Sequence, residues 1–253
     1  MTRILIIRFS AIGDVAMTIP VIYSFANQYP QVDITVLSRR VLQPLFQEMP
    51  PNVHYYAADL KGKHKGIRGV YRLYKELKAE HFDMIADFHN VIRTKLLCTL
   101  FRFAKVRVES VSKGRMGKQK LTRRRNKILK NQKSSFRRFA DVLEKLGYPI
   151  LLNFASIYGN GKGDFSKIAS IIPNKGSDIW IGIAPFAKHE GKIYPLNLQE
   201  KVVAHFASTN HVKVFLFGGG KEEANVFDNW LKKYPTVIST VGKLNMSTEL
   251  ILM

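Results

Sequence analysis

Short runs of β-branched apolar residues alternate with segments of helical periodicity along the whole chain, and this alternation constrains the fold more than any other feature. Runs typical of buried strands lie at 4–7, 32–37, 53–56, 82–88, 179–183, 212–217 and 237–238. Helical segments lie at 66–79, 91–103, 135–146, 196–207 and 221–233, and another follows the first turn as far as Phe25, with a break expected at Pro20. This order predicts an α/β fold with parallel sheets and right-handed crossovers.

Length and composition exclude several classes of protein. The chain has 253 residues, of which 46% are hydrophobic, and this excludes a disordered or fibrous protein. Its single cysteine, Cys98, excludes a disulfide framework and a cysteine-based zinc site, so we expect no metal. The first apolar run is too short for a signal peptide, and no run reaches the roughly 18 residues of a membrane span. We therefore expect a cytoplasmic protein.

The pattern divides the chain into two domains. A glycine-rich segment at 159–164 is the best candidate for a linker, and it predicts domains at 1–158 and 159–253. The second domain has only two or three strands, too few for an independently stable sheet of this type. The chain also stops inside an apolar helix at 248–253. We expect a truncated second domain whose apolar surface around 250–252 is poorly covered.

The charge is strongly unbalanced. Forty Lys and Arg against 19 Asp and Glu give +21, and twelve of these positive charges lie at 113–138 without any acidic residue. Such an excess attracts polyanions, namely nucleic acid, anionic lipid or phosphorylated ligands. Phe136 is the only aromatic residue in this basic insertion, which argues against nucleic acid. The alternative is that the basic insertion is a solvent-exposed loop that binds no partner.

The turn between the first strand and the following helix contains the most specific candidate for a functional residue. Gly13 permits close approach of another molecule, and Asp14 stands at the start of the helix. Because ligands of open α/β sheets bind at the carboxyl ends of the strands, Asp14 is placed to accept a proton from a bound hydroxyl. A helix-capping role is the alternative. The dinucleotide fingerprint GxGxxG is absent from this turn.

The opening ILIIRFSAIGDVAMTIPVI, 4–22, resembles glycosyltransferase family nine, the bacterial lipopolysaccharide heptosyltransferases. The family signature is a strand, then S-x-x-G-D, then a helix with T-x-P, and it is matched by Ser10, Gly13, Asp14, Thr18 and Pro20. The similarity continues at 38–40, 82–94, 182–195, 215–224 and 242–250. It therefore covers nearly the whole chain.

This resemblance implies a GT-B fold, with two Rossmann-like domains facing a cleft and the second incomplete in this chain. It also implies an inverting transfer of heptose from ADP-heptose to the lipid A–core acceptor without a cofactor. Asp14 would be the general base, and Ser10, Gly13 and His89 would contribute to the acceptor site. His89 also fits a purely structural hydrogen-bonding role. A related transferase that uses another nucleotide sugar remains an alternative.

The resemblance places the donor on the second domain. Lys192 would neutralise the diphosphate, and the alternative is a solvent-exposed lysine without this role. The ribose would lie near Gly218, Gly219 and Glu222, with Glu223 as an alternative to Glu222. The chain departs from the family at Tyr194, where a tryptophan is usual, and at 186–187, where Ser or Thr is common. The family's D-[ST]-G-x-x-H segment is absent, so we expect weak transfer, or none, from this chain alone.

For the basic insertion, the resemblance adds a third interpretation. The family's acceptor is an anionic glycolipid of the inner membrane, and Arg123, Arg124 and Arg125 would bind it during peripheral contact with that membrane. On this interpretation no nucleic acid partner is expected. The rival hypotheses of a solvated loop and of a basic nucleic-acid-binding α/β protein stay open.

Overall fold

The structure is a computed structural model that describes residues 1–159, 161–187 and 189–253. The chain forms two compact units, 1–160 and 161–253. The predicted linker at 159–164 spans the division between the units, and its residue 160 lies outside the described residues.

The first unit is built on a five-stranded parallel sheet with the strand order β3-β2-β1-β4-β5. The strands are β1 (Thr2–Ile7), β2 (Val32–Arg39), β3 (Val53–Ala58), β4 (Met84–Asp87) and β5 (Arg107–Ser110). Ile7 pairs with Leu37 on one side and with Asp87 on the other. The turns that follow β1 and β4 therefore leave the sheet side by side at its carboxyl edge.

Helices lie between these strands and after the last of them. They are α1 (Ile12–Ala16), α2 (Ile19–Gln28), α3 (Gly66–Lys78), α4 (Ile92–Phe103), α5 (Arg115–Thr122) and α6 (Ser135–Lys145), with a 3-10 helix at Arg40–Phe46. The break expected near Pro20 is confirmed, because α1 and α2 are separate and Pro20 lies in the first turn of α2, where its missing N–H costs no hydrogen bond.

The core of the first unit explains the continuous apolar runs in the sequence. Residues 4–7 of β1 are completely buried, as expected for a central parallel strand covered on both faces. One face packs against α3 and α4 through Leu73, Leu97 and Phe101. Cys98 belongs to this cluster, where burial raises the pKa of its thiol, so its predicted role in core packing is confirmed.

Besides the 3-10 helix at Arg40–Phe46, two elements of the first unit are missing from the sequence prediction, β5 and α5. β5 is a short edge strand, RVES, whose charged residues give no buried-strand pattern. α5 buries none of its residues and contains Gly117, so it lacks the apolar stripe that reveals a helix. The basic insertion is therefore partly helical rather than a continuous loop.

The second unit contains a three-stranded parallel sheet among its described residues, in the order β6-β7-β8. Its elements are β6 (Ile179–Ile183), α7 (Leu196–Ala207), β7 (Val212–Leu216), α8 (Lys221–Lys233), β8 (Ile238–Ser239) and α9 (Met246–Leu252), with 3-10 helices at Phe165–Lys167 and Glu190–Lys192. The expectation of poorly covered apolar surface at 250–252 is only partly met. Ile251 and Leu252 pack against a cluster around Phe215.

Candidate functional site

The carboxyl edge of the first sheet collects the polar side chains that follow β1 and β4. The parallel pairing of these strands brings the segments 8–14 and 88–91 together. Asp14 is the third residue of α1, and its Oδ2 lies 2.8 Å from Nη2 of Arg8 and 3.3 Å from the backbone nitrogen of Ala11, which donates to it. The carboxylate thus caps its helix and is also ion-paired.

Asp14 remains open to a ligand in spite of these contacts. Its side chain is 53% exposed, and within the described residues only Oδ2 has hydrogen-bonding partners, so Oδ1 is available. Gly13 beside it is exposed, and a Cβ atom at that position would meet nothing within 4 Å. The predicted capping and proton-accepting roles are therefore compatible in one side chain.

Arg8 is a residue of this site that the sequence analysis missed. Its side chain is 12% exposed, Nη1 donates to the carbonyl oxygen of Phe88 at 2.6 Å, and the guanidinium lies 5.8 Å from the centroid of the Phe139 ring. Arg8 is thus fixed to the end of β4 and to α6, and through the ion pair it fixes Asp14. The sequence feature that marks Arg8 as a site residue is its position directly after a buried strand and before the S-x-x-G-D motif.

His89 lies next to Ser10 on the same edge. It is 9% exposed, its Nε2 is 3.4 Å from Oγ of Ser10, and its ring meets that of Phe9 edge-on. Burial and the nearby charges of Arg8 and Lys113 lower the pKa of His89 from 6.5 to about 4. The imidazole is therefore neutral near pH 7, and its buried Nδ1 has no hydrogen-bond partner within the part of the chain that the structure describes.

The turn that carries His89 is held by a completely buried carboxylate, Asp87. This side chain accepts hydrogen bonds from the backbone N–H groups of His89 and Asn90, each at 2.9 Å, and from the hydroxyl of Thr94, also at 2.9 Å. Asn90 takes a positive φ of 49°. Asp87 thus has a structural role, because its oxygens are used to fix the turn.

Two adjoining cavities open beside this turn, with volumes of about 880 and 380 Å³. Ser10 and His89 line the larger cavity, so the structure brings together these two residues of the predicted acceptor site. Gly13 and Asp14 are not among the residues that line either cavity. The two cavities share Asn90, Lys95, Lys113 and Arg115.

The three arginines predicted to bind the acceptor are not in these cavities. Arg123, Arg124 and Arg125 follow α5, are exposed and line neither cavity, and Arg123 donates through Nε to the carbonyl oxygen of Asn126 at 2.5 Å. The cations that line the cavities come from the start of the basic insertion and from α4. The cations of α4 were not predicted from the sequence, because two charged residues in an apolar helix are also typical of its solvent-exposed face.

In the second unit, the predicted glycine turn joins β7 to α8. Oε2 of Glu223 accepts a hydrogen bond from the backbone N–H of Gly219 at 2.7 Å. A Cβ atom on Gly218 would lie 2.6 Å from that oxygen and 2.9 Å from Cε2 of Phe227, so this position requires glycine. Gly220, with φ of 86°, completes the turn. Glu222 is exposed, and no hydrogen bond or ion pair engages its carboxylate within the described ranges.

This geometry separates the two carboxylates that the sequence left as alternatives. Glu223 holds the turn, whereas Glu222 is available to a ligand. Lys192 ends the 3-10 helix at 190–192 and is exposed, without an ion-pair partner among residues 1–159, 161–187 and 189–253. Phe186, at a position where the family often has a hydroxyl, packs against Phe227 with ring centroids 5.5 Å apart. Residue 188 of the same segment lies outside the described residues.

The described residues contain no cluster of three or more His, Cys, Asp or Glu side chains that could hold a metal ion. Among the same residues, every helix is too short or too polar to cross a membrane.

Comparison with solved structures decides the fold. A family 9 glycosyl transferase from Veillonella parvula matches with a TM-score of 0.74 at 19% identity, over 99% of this chain and 72% of that one. The E. coli ADP-heptose LPS heptosyltransferase II matches with a TM-score of 0.72 at 18% identity, over 100% and 76% of the two chains. The chain has the fold of the family 9 glycosyltransferases. The predicted α/β fold of GT-B type is therefore confirmed.

A third structure with this fold is the E. coli heptosyltransferase WaaC with ADP-2-deoxy-2-fluoro heptose, with a TM-score of 0.68 at 14% identity over 98% of this chain and 78% of that one. Among curated proteins, the lipopolysaccharide core heptosyltransferase OpsX of Haemophilus influenzae is 30% identical over 92 residues. That match spans 36% of this chain and only a quarter of the length of OpsX. No protein-family model matches the chain.

Proposed function

We propose that this protein is an inverting glycosyltransferase that moves a heptose from ADP-heptose to the inner core of lipopolysaccharide. The observation that carries the proposal is the half-exposed carboxylate of Asp14, held by Arg8 in the S-x-x-G-D turn of a family 9 fold. The similarity to OpsX and the heptosyltransferase structures supports heptose as the sugar.

In the proposed reaction, Asp14 accepts the proton of the acceptor hydroxyl while that oxygen attacks the anomeric carbon of the heptose. The bond from this carbon to the diphosphate breaks in the same displacement, ADP leaves with the electron pair, and the configuration inverts. Because Arg8 occupies Oδ2, the free Oδ1 of Asp14 is the oxygen assigned to the hydroxyl proton. Arg8 is a positioning residue in this scheme.

The proposed donor contacts lie on the second unit. Lys192 supplies a positive charge that stabilises the diphosphate as it becomes a leaving group. Glu222 accepts hydrogen bonds from the ribose hydroxyls, and the turn at Gly218 and Gly219 permits close approach of the nucleotide. This assignment is supported by the availability of Glu222 and by the engagement of Glu223 within the turn.

The proposed acceptor is the anionic lipid A–core glycolipid at the cytoplasmic face of the inner membrane of a bacterium. Arg123, Arg124 and Arg125 are exposed, and the same basic insertion also exposes two apolar side chains, Met116 at 78% and Leu129 at 84%. Cationic and apolar side chains together suit a lipid surface, where the charges meet anionic headgroups and the apolar groups enter the interface. Nucleic acid binding would instead favour aromatic side chains.

The test is a transfer assay with the protein, a lipid A–core acceptor and a panel of donors: ADP-heptose, ADP-glucose and UDP-N-acetylglucosamine. We expect a product heavier by one heptose with ADP-heptose, formed at the low rate anticipated for this chain alone, and much slower transfer from the other two. Faster transfer from another nucleotide sugar would replace heptose in the proposal. Salt-dependent binding to DNA or RNA without binding of ADP or any donor would favour the nucleic-acid rival.

A further inference from the structure

The cavities beside His89 are lined by four cations that have no ion-pair partner among the residues that the structure describes. Arg93, Lys95, Lys113 and Arg115 form no ion pair and donate no side-chain hydrogen bond within the described part of the chain. Among the described residues that line the two cavities there is no Asp or Glu. Because like charges held together repel one another, such an arrangement is most stable when an anion is bound.

The backbone adds to this positive field. The larger cavity lies at the N-terminus of α4, which has 12 residues, and the smaller one at the N-terminus of α5, which has 8. The first N–H groups of a helix have no partner within the helix and point towards an anion bound there. Gly114, with φ of 59°, is the N-cap residue that precedes α5, and it lines the smaller cavity.

A third and independent observation is the unpaired nitrogen of His89. This side chain lines the larger cavity, is more than nine-tenths buried, and has no hydrogen-bond partner for Nδ1 among the residues described. Buried polar atoms are normally hydrogen-bonded, so His89 keeps an unused hydrogen-bonding group within a side chain that lines the cavity. The amide of Asn90 does not fill this role, because its nitrogen donates to the carbonyl oxygen of Val111 at 2.7 Å.

We propose that these cavities form a binding subsite for a phosphate monoester carried by a sugar. Four uncompensated cations and two helix N-termini favour a dianion over a single carboxylate, since a phosphate offers two charges and three acceptor oxygens. The part of this inference that assigns the sugar phosphate to the acceptor rests on the proposed function. The binding site itself does not depend on it.

The first experiment measures binding to the full chain by calorimetry at pH 8, where phosphate monoesters are dianions. The probes are glucose 6-phosphate, inorganic phosphate and glucose. We expect saturable binding of glucose 6-phosphate, weaker binding of inorganic phosphate and no binding of glucose. Equal affinity for the two phosphates would contradict the sugar-borne ligand, and the absence of saturable phosphate binding would overturn the subsite.

The second experiment compares two double variants with the same loss of charge. Lys95→Gln with Lys113→Gln removes two cavity cations, whereas Lys127→Gln with Lys130→Gln removes two charges of the basic insertion that line neither cavity. We expect at least a tenfold weaker affinity for glucose 6-phosphate in the cavity variant and less than a twofold change in the control. Equal losses would show a general charge effect and overturn the subsite.

Unfolding temperatures show whether the cavity variant is intact. Because the removed cations repel each other, the unliganded cavity variant should unfold at or above the wild-type temperature, while the rise induced by glucose 6-phosphate should disappear. Arg115→Gln, at an exposed side chain, repeats the test if the double variant does not fold. The probes contain neither nucleotide nor heptose, so loss of phosphate binding contradicts this inference alone, and failure of heptose transfer contradicts the proposed function alone.

Discussion

The two units each place acidic residues at a turn from strand to helix, but they use them differently. After β1, a single carboxylate, Asp14, both caps its helix and pairs with Arg8, and it still exposes one oxygen. After β7, two adjacent carboxylates divide these tasks, because Glu223 binds the N–H of Gly219 while Glu222 stays exposed. Each turn therefore keeps carboxylate oxygens that no hydrogen bond or ion pair engages among the described residues, Oδ1 of Asp14 in the first unit and those of Glu222 in the second.

The largest expected effect follows from this difference. Asp14→Asn keeps the shape of the side chain but removes proton acceptance, so turnover should fall by roughly 10²–10⁴-fold with little change in the KM for ADP-heptose. Glu222→Gln should instead raise that KM by roughly tenfold, the effect of losing one hydrogen bond from a charged group, with a smaller change in turnover. Steady-state kinetics separate the two parameters. Near wild-type turnover in Asp14→Asn would reduce Asp14 to a helix cap.

The next prediction concerns the pH dependence of stability that His89, a residue of the first unit, should cause. The pKa of His89 is about 4 in the folded protein against an ordinary value of 6.5, so the unfolded chain binds a proton that the folded chain excludes. Stability should therefore fall as the pH drops from about 6.5 to about 4, by up to about 3 kcal/mol. Denaturant unfolding across this range, compared with His89→Gln, isolates the contribution. Parallel curves for the two proteins would contradict it.

A smaller effect is expected at the glycine turn of the second unit. Gly218→Ala would bring a methyl group to 2.6 Å from Oε2 of Glu223 and 2.9 Å from Phe227, and overpacking of this kind costs roughly 1–3 kcal/mol. Gly219→Ala is the matched control, since its Cβ would meet nothing within 4 Å. Unfolding free energies measure both. A similar loss in the two variants would contradict the described packing.

The smallest effect separates the adjacent carboxylates of α8. Glu223→Ala removes the hydrogen bond to Gly219 and should lower stability by about 1 kcal/mol. Glu222→Ala should leave stability unchanged, because its carboxylate holds no partner within the described residues. Thermal unfolding without ligand tests the pair. Equal destabilisation would show that Glu222 also supports the turn.

Most of the framework could be predicted from the sequence because it depends on local patterns. The buried runs of β1 and β7 and the break at Pro20 are visible as periodicity and as proline chemistry. β5 and α5 were missed for the same reason, since an edge strand with charged residues and a fully exposed helix have no apolar pattern. The incompleteness of the second domain stays a prediction.

The candidate site was less predictable because it depends on contacts between distant segments. Arg8 meets Phe88 and Phe139 only after β1, β4 and α6 have assembled. Which of Glu222 and Glu223 is available to a ligand became clear only from the backbone at Gly219, whose N–H donates to Glu223. The density of positive charge in the sequence is highest around Arg123, whereas the cavities are lined by cations nearer to the ends of β4 and β5.

The central claim is that Arg8 acts through Asp14, and a double-mutant cycle on turnover tests it most directly. The proteins are wild type, Arg8→Gln, Asp14→Asn and the double variant, each assayed for heptose transfer at saturating substrates. If Arg8 only positions the base, its substitution slows wild type but has little further effect once Asp14 is Asn, so the double variant should match Asp14→Asn within about twofold. Arg8→Lys should recover part of the turnover. A double variant slowed by the product of the two single effects would contradict the account, because Arg8 and Asp14 would then act independently.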